Sequence, residues 1–201
     1  MNKFHKLTIG GVAYLLLFAG HSNLQKRDTD DKCGGEARWE QKIMVDRDAW
    51  DVLLKPKTTT IAKLATLDTI KTKIGKSTER LAVERQVYLI KEVLITEAIL
   101  QKDNDIHLVI EDGKGGTLLA EIPDPDCPQA KKSEFRDDFI ASHEIFMQHQ
   151  HTFTEFWWEI SGVLFVDAKH SKSPLGNNPN NVELHPVLSL KKVKRFKPAG
   201  L

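Results

Sequence analysis

The stretch from residue 86 to residue 122, QVYLIKEVLITEAILQKDNDIHLVIEDGKGGTLLAEI, decides the fold. Its first part, residues 86–100, is rich in valine, isoleucine and leucine, which is typical of a long and largely buried β-strand. After the turn QKDND, the segment DIHLVIED alternates apolar and polar side chains. A second turn, GKGG, then leads into TLLAEIP, where Pro123 ends the strand. The stretch therefore predicts three strands, the last two joined as a hairpin.

A helix and two further strands follow. Residues 131–150, KKSEFRDDFIASHEIFMQHQ, predict a helix that Ser133 can cap. Its apolar face is expected to carry Phe135, Phe139, Ile140, Ala141 and Phe146. The segments FWWEISGVLFVDA (156–168) and VELHPVLSLKKV (182–193) predict the fourth and fifth strands, joined by a loop rich in proline, asparagine, glycine and serine. Three strands, a helix and two strands is the order of the OB barrel.

The fold class predicted from this order is mainly β: a five-stranded OB-like barrel with a helix between strands three and four, preceded by an N-terminal helical and irregular addition. The OB barrel itself is assigned to residues 81–197, and the addition, packed on the barrel, to residues 37–80. Within the addition, TTTIAKL predicts a short helix capped by Thr59 or Thr60. Residues 23–36 are polar, contain Gly34 and Gly35, and are expected to form a flexible linker.

The N-terminus predicts export from the cytoplasm. Residues 1–22 combine a short basic segment, containing Lys3 and Lys6, with an apolar run from Leu7 to Ala19. This is the layout of a signal peptide, and the run is shorter than the roughly 20 residues of a membrane helix. We therefore expect a secreted or periplasmic protein with no membrane span after signal cleavage. A retained membrane anchor is the alternative.

Two cysteines, Cys33 and Cys127, form a candidate disulfide, because an even pair outside the cytoplasm is commonly oxidised. Closing so long a loop would stabilise the fold by about 4–5 kcal/mol in the chain-entropy model. Two unpaired thiols are an equally weighted alternative. Neither cysteine lies in a CxxC motif, so the sequence does not indicate redox catalysis.

Composition limits the choice of ligand. The formal net charge is +1, and it stays near neutral without the leader, so the protein has no global field that attracts polyanions. Binding of nucleic acid would depend on a local patch. The candidates for such a patch are Trp157, Trp158, Lys191, Lys192, Lys194 and Arg195. Adjacent tryptophans on a strand face opposite sides, so one of them can stack a base or cover the addition. A basic run of this kind is otherwise a solvated chain end.

Six polar residues form a second candidate site: Asp105, His107, Asp167, His170, Glu183 and His185. A spacing of two places Asp105 with His107, and Glu183 with His185, on one face of a strand. We expect the first strand of the barrel to be flanked by the second and the fifth, so that these polar faces meet. A metal site made of His107, Glu183 and His185 would suit zinc or manganese and could activate water for attack on a phosphodiester. The favoured interpretation is a structural hydrogen-bond network, in which Asp167 and His170 shape a turn.

Two longer segments carry a family resemblance: DNDIHLVIEDGKGGTLLAEIPDPDC (103–127) and SGVLFVDAKHSKSPLGNNPNNVELHPVLSL (161–190). They resemble an uncharacterised family of bacterial exported proteins with a D-x-D-x-HLV strand, an AEIP-x-P-x-C ending and an N-x-x-ELHPV strand. TTTIAKL and the pair Arg80 and Glu84 fit the same pattern. The resemblance implies an OB barrel and a nucleic-acid-binding function that rests on fold analogy. Members tend to have glycine after the loop histidine, where this chain has Ser171 and Lys172.

The sequence therefore supports three functional hypotheses. The leading one is an exported OB-fold protein that binds single-stranded nucleic acid or another polyanion. The alternatives are a metal-dependent phosphodiesterase or nuclease and a protein–protein interaction module of the cell envelope. The sequence contains no recognisable serine or cysteine nucleophile elbow, P-loop or dinucleotide fingerprint. No cofactor is therefore predicted, and an enzyme is the less favoured hypothesis.

Overall fold

The computed structural model of the chain describes residues 33, 37–67, 74–168 and 180–195. The predicted signal peptide, the predicted linker apart from Cys33, and His170 lie outside the described residues. The described strands are β1 (Leu53–Thr59), β2 (Gln86–Leu100), β3 (Ile106–Glu111), β4 (Thr117–Ile122), β5 (Phe156–Val166) and β6 (Val182–Arg195). The described α-helices are α1 (Trp39–Lys42), α2 (Ile61–Ala65) and α3 (Arg136–His149).

Strands β2 to β6 close into a five-stranded mixed barrel. β2 pairs with β3 on one side and with β5 on the other, both antiparallel. β3 pairs antiparallel with β4, β4 parallel with β6, and β6 antiparallel with β5. This confirms the OB-like barrel with a helix between its third and fourth strands. The expectation that the fifth barrel strand pairs with the first is wrong, because the β2–β5 pairing closes the barrel and β6 lies between β4 and β5.

The apolar alternation of the strands fills the barrel interior. Ile106, Leu108 and Ile110 of β3 are completely buried, and Leu118 and Ala120 of β4 face them. Burying an aliphatic side chain of this size stabilises a fold by roughly 1.5–3 kcal/mol. The polar positions of the same strands therefore face outward. This alternation, which the sequence shows directly, places the charged residues of β3 and β4 on the outside of the barrel wall.

The turn between β3 and β4 is the predicted hairpin connection. Gly113 and Gly115 have φ angles of 70° and 87°, in the left-handed region that glycine adopts without steric cost. Asp112 supports the turn, since its carboxylate accepts hydrogen bonds from the backbone N–H groups of Lys114 and Gly116. The GKGG segment is therefore a structural turn between two strands.

Helix α3 packs against the barrel through Phe139, Ser142 and Phe146, which are its buried residues. Phe146 joins the barrel core, where its ring contacts that of Phe153. The predicted apolar face is partly wrong, because Ala141 is exposed and Ser142 takes an inward position. Ser133 does not cap the helix. Its hydroxyl accepts a hydrogen bond from the backbone N–H of Phe135, and the helix begins at Arg136.

The N-terminal addition contains a strand that the sequence did not predict. β1 pairs parallel with the beginning of β2, and almost all of its side chains are exposed. With an exposed pattern and Pro56 in its centre, the segment lacks the alternation by which a strand is recognised. The predicted helix does form: the Thr60 hydroxyl accepts a hydrogen bond from the backbone N–H of Lys63 at 3.2 Å and caps α2.

A disulfide connects the beginning of the described chain to the barrel. The sulfurs of Cys33 and Cys127 lie at bonding distance, and their Cα atoms are 5.5 Å apart, within the usual range for a disulfide. The predicted pairing is confirmed. Cys127 is buried with Ile43 and Phe139, so the bridge joins the N-terminal addition to α3 and the barrel.

In the part of the chain that the structure describes, no helix is long and apolar enough to cross a membrane. The disulfide pair is consistent with an oxidising compartment outside the cytoplasm.

Candidate functional site

The candidate site lies on the outer face of the barrel, where three neighbouring strands each present an ionisable side chain. His107 on β3 is the register partner of Glu121 on β4. β4 in turn pairs with β6, which carries Glu183 and His185. Because side chains alternate across a strand, Glu183 and His185 lie on the same outer face of the barrel as His107 and Glu121. The sheet therefore forms a row of ionisable groups across its wall.

Glu121 joins the two histidines of this row. Its Oε1 lies 3.0 Å from His107 Nε2, and its Oε2 lies 2.8 Å from His185 Nδ1. His185 Nδ1 is also 3.4 Å from Glu183 Oε1, while its Nε2 is 3.8 Å from Asp105 Oδ2. Asp105 ends the turn before β3 and accepts a hydrogen bond from the backbone N–H of Asp124. Three carboxylate groups thus surround the ring of His185, and the imidazole of His107 contacts one of them, that of Glu121.

Helix α1 of the N-terminal addition covers the row. The ammonium group of Lys42 lies 3.8 Å from both Glu121 Oε2 and Glu183 Oε1. It also lies 5.1 Å from the centre of the Phe165 ring, which packs beside His185. His185 is completely buried as a result, although it stands on the outside of the barrel. We call these residues the Glu121–His185 cluster: Lys42, Asp105, His107, Glu121, Glu183 and His185.

The two central groups of the cluster stabilise each other's charge. Burial alone would lower the pKa of His185, but the negative charge of Glu121 raises it to about 9. Burial alone would likewise raise the pKa of Glu121. The charge of His185 and the hydrogen bond from His107 instead hold that pKa well below its usual range. Glu121 and His185 therefore form a buried ion pair.

The pKa values of the other two carboxyl groups are shifted upward, in contrast to that of Glu121. Burial raises the pKa of Asp105 to about 7, despite the attraction of His185. Burial, together with repulsion by Glu121, also raises the pKa of Glu183. The pKa values of two of the three acids in the cluster are thus raised, because the low-dielectric interior disfavours adjacent negative charges.

The pKa values of the two remaining bases of the cluster are also raised. Burial would lower the pKa of Lys42, but the charges of Glu183 and Glu121 raise it above its ordinary value. Burial would also lower the pKa of His107, and its hydrogen bond with Glu121 raises that pKa instead. The side chain of His107 is 21% exposed, so it links the cluster to solvent.

Several atoms of the cluster lack an aligned hydrogen bond. Both ring nitrogens of His185 and Oε1 of Glu183 are buried without such a partner among the described residues. The carboxylate oxygens stand close to His185 Nδ1, but not along the direction in which a ring N–H would donate. Buried polar groups normally have partners, so this arrangement needs an explanation.

The structure brings together four of the six polar residues that the sequence singled out: Asp105, His107, Glu183 and His185. Asp167 lies at the edge of the cluster, where its charge acts on Lys42 and its backbone N–H donates to Asn181. The proposed ligand set His107, Glu183 and His185 is not the most compact one. The donor atoms of Asp105, Glu121 and His185 lie within 4.8 Å of one another.

Sequence reasoning missed Glu121 and Lys42. Glu121 had a signal, because it is a carboxylate inside the strand TLLAEI, which is otherwise apolar apart from its first residue. Lys42 had none, because its position over the barrel depends on how the addition folds back. The expected meeting of polar faces did occur, but by a different route: β6 reaches β3 through β4 and not through β2.

A second buried ionic network lies under the same addition. It consists of Arg38, Asp46, Arg80 and Glu84, and we call it the Arg38–Glu84 network. Both nitrogens of the Arg38 fork donate to Glu84, at 2.8 and 2.5 Å. Arg80 donates to both oxygens of Asp46, at 3.1 and 2.5 Å. Arg38 also donates to the carbonyl of Val166 on β5. Charges balance in this network, which fastens the addition to the barrel.

The basic candidate residues stand on the far end of the β5–β6 hairpin. Trp157 is paired in register with Lys194, and Trp158 with Lys192. Trp158 is completely buried, and its indole N–H donates to the carbonyl of Phe153, so it is not available to stack a ligand. Trp157 is half-buried, as alternation on a strand requires. Lys191, Lys192, Lys194 and Arg195 are exposed.

A separate apolar surface lies on the N-terminal addition. Trp50, Leu53 and Leu54 are exposed by 79%, 64% and 53%. They adjoin or line a groove of about 530 Å³, whose floor includes Met44 and Phe135. An exposed patch of this kind is a feature of interaction surfaces.

The family resemblance of residues 103–127 and 161–190 stays a prediction, while the barrel itself is shown by its strand pairing. Its nucleic-acid-binding label is likewise a hypothesis to be tested on this chain. No protein-family model matches the chain, and no curated protein sequence matches it significantly.

Proposed function

We propose that the protein is an exported OB-fold binding protein whose ligand is a single-stranded polyanion, with single-stranded nucleic acid as the ligand to test. The observation that carries the proposal is two pairs of an aromatic ring and a lysine at the end of the β5–β6 hairpin, one pair on each face of the hairpin. Lys192 Nζ lies 4.5 Å from the centre of the Phe156 ring, and Lys194 Nζ lies 5.8 Å from that of Trp157. Cations that track a backbone beside stacking rings are typical of single-strand binding.

The cationic side chains at this end of the hairpin remain accessible to a ligand. Lys194 pairs with Glu92 at 2.6 Å, and Arg195 pairs with Glu155 at 2.9 Å. These pairs are exposed, and an exposed ion pair contributes only about 0–1 kcal/mol, so phosphate groups can replace the carboxylates. The β3–β4 turn adds the exposed Lys114 on the side of Trp157, since Gly113 of that turn lies against the Trp157 ring.

Fluorescence anisotropy with labelled single-stranded oligonucleotides at low salt tests the proposal directly. We expect binding at tens of micromolar protein or better, weakening as salt is raised because counterions are released. Trp157→Ala should weaken binding by about tenfold, since stacking one base contributes about 1–3 kcal/mol. The double variant Lys192→Glu, Lys194→Glu should abolish binding.

Matched controls are available on β1 and its flank. Lys55→Glu with Lys57→Glu makes the same charge change on another exposed strand, and Trp50→Ala removes another exposed indole. These variants should bind as the wild type does. Absence of binding by the wild type, or an equal loss in the control variants, would sink the nucleic-acid proposal and leave the fold.

The phosphodiesterase alternative finds less support in the geometry. A catalytic metal site keeps a coordination position open to substrate. Among the described residues, Asp105, Glu121, Glu183 and His185 are nearly or completely buried, and Lys42 covers them. The cluster is suited to holding a charge inside the protein and offers little surface on which a polymer substrate could lie.

A further inference from the structure

The Glu121–His185 cluster contains three carboxyl groups and three basic groups, and two of these bases are histidines, which are cations only when protonated. It contains the carboxyl groups of Asp105, Glu121 and Glu183, and the ammonium group of Lys42 is the cation placed directly over them. If the three acids are ionised and both histidines neutral, two negative charges remain inside the fold. Burial of unpaired charge is costly, so the arrangement needs either added protons or an added cation.

The imidazole ring of His185 is surrounded in the way that is typical of a metal-binding histidine. Its Nε2 faces Asp105 at 3.8 Å, and its Nδ1 faces Glu121 and Glu183 at 2.8 and 3.4 Å. Both nitrogens are completely buried without an aligned hydrogen bond among the described residues. A ligating imidazole typically binds the ion through one nitrogen and directs its other nitrogen to a carboxylate. With the ion on the Nε2 side, next to Asp105, the Nδ1 of His185 faces Glu183 as such a carboxylate.

The donor atoms are close enough to share one ion. Those of Asp105, Glu121 and His185 lie within 4.8 Å of one another. Ligands of a tetrahedral zinc ion at about 2.0–2.2 Å are about 3.3–3.6 Å apart, so the widest of these separations would have to close by up to about 1.5 Å. Imidazole combined with carboxylates is the ligand set favoured by zinc and manganese ions.

We propose that Asp105, Glu121 and His185 bind a divalent cation, of the zinc or manganese class, beneath the N-terminal addition. Glu183 lies beside the site as a further carboxylate, and Lys42 supplies the remaining positive charge. One divalent ion would neutralise the cluster. The site is structural, because it is buried between the barrel wall and α1, and it joins the addition to β3, β4 and β6. This inference is independent of the polyanion proposal.

The test is metal analysis of the full chain, produced by secretion and purified without a histidine tag. The protein is first stripped with a chelator, then given zinc or manganese, and dialysed before elemental analysis. We expect about one bound ion per chain, as in structural sites with a single centre. Thermal unfolding should shift to higher temperature when the ion is added and return when it is chelated, since binding to the folded state stabilises it.

Isosteric variants identify the ligands. Asp105→Asn and Glu121→Gln should each weaken binding by at least roughly 10- to 100-fold, the loss typical even of a partner outside the coordination sphere. The matched control is Glu84→Gln, which alters a buried carboxylate of the Arg38–Glu84 network. That variant should lose stability and still bind about one ion per chain.

Two outcomes would overturn the proposal. The first is a wild-type protein that retains only trace metal after dialysis and shows no thermal shift with zinc or manganese. The second is equal metal content in the wild type, Asp105→Asn and Glu121→Gln, which would place the ion elsewhere, for example on the exposed His151. If either variant fails to fold, the metal content and thermal shift of the wild type still decide the first outcome.

Discussion

The Arg38–Glu84 network and the Glu121–His185 cluster, both buried under the N-terminal addition, differ in how well their charges and hydrogen bonds are matched. In the Arg38–Glu84 network, two guanidinium groups face two carboxylates through paired hydrogen bonds, and Arg38 also donates to backbone carbonyls. In the Glu121–His185 cluster, three acids surround one ring, and the ring nitrogens have no aligned partner among the described residues. A balanced network holds the fold together by itself. An unbalanced cluster needs a further cation or protons, so it is where a ligand is to be sought.

The sharpest test of this comparison is Glu84→Gln. It should lower the free energy of unfolding by about 3–5 kcal/mol, because Arg38 would keep a buried positive charge without its partner. Glu84 also accepts hydrogen bonds from the backbone N–H groups of Leu81 and Val166. Urea-induced unfolding measures the loss. Arg47→Ala, which removes the exposed pair with Glu79, is the control and should change stability by less than about 1 kcal/mol.

Removing the disulfide should loosen both ionic groups at once. Replacing Cys33 and Cys127 together with serine should cost about 2–5 kcal/mol, because the bridge closes a loop with a sequence separation of 94 residues. Denaturant unfolding of the double variant, compared with the wild type in the absence of reductant, measures the effect. Equal stability of the two proteins would show that the addition is held by packing and ion pairs alone.

Gly162→Ala should displace β6 beside the unbalanced cluster. A Cβ at this position of β5 would meet the carbonyl oxygen of Pro186 at 2.6 Å and Leu184 Cβ at 3.1 Å, so β6 must move next to His185. Overpacking of this kind typically costs about 1–3 kcal/mol. Thermal unfolding and metal content measure the two consequences. Gly75→Ala, whose Cβ would have its nearest contact at 3.9 Å, is expected to leave both unchanged.

The smallest effect is expected for Glu183→Gln in chelator-treated protein. It makes the same chemical change as Glu84→Gln at another buried glutamate, yet the stability should change by less than about 1 kcal/mol. Glu183 Oε1 has no aligned partner among the described residues, and the variant removes one of three crowded acids. Unfolding curves of the two glutamine variants, measured side by side, give the comparison. A loss of stability as large as that of Glu84→Gln would mean that the Glu121–His185 cluster is a balanced network like the Arg38–Glu84 network.

The local sequence pattern was sufficient to predict most strands of the barrel. The valine- and isoleucine-rich run of β2, the alternation of β3 and the glycines of the GKGG turn each depend on neighbouring residues alone, and each formed as predicted. β1 was missed because its side chains are exposed. It is a strand only because its backbone pairs with β2, which no local pattern of burial can reveal.

For the candidate site, the sequence determined which side chains face outward, and the tertiary structure decided which of them meet. The spacing of two in ELHPV placed Glu183 and His185 on one face, and the alternation of β3 placed His107 on the outside. Glu121 joins them only because β6 pairs with β4, and Lys42 covers them only because the addition folds back over the barrel. Side-chain alternation is fixed by the backbone geometry of a single strand. Contacts between strands distant in the chain depend on how the barrel closes, and that is determined by the packing of the whole core.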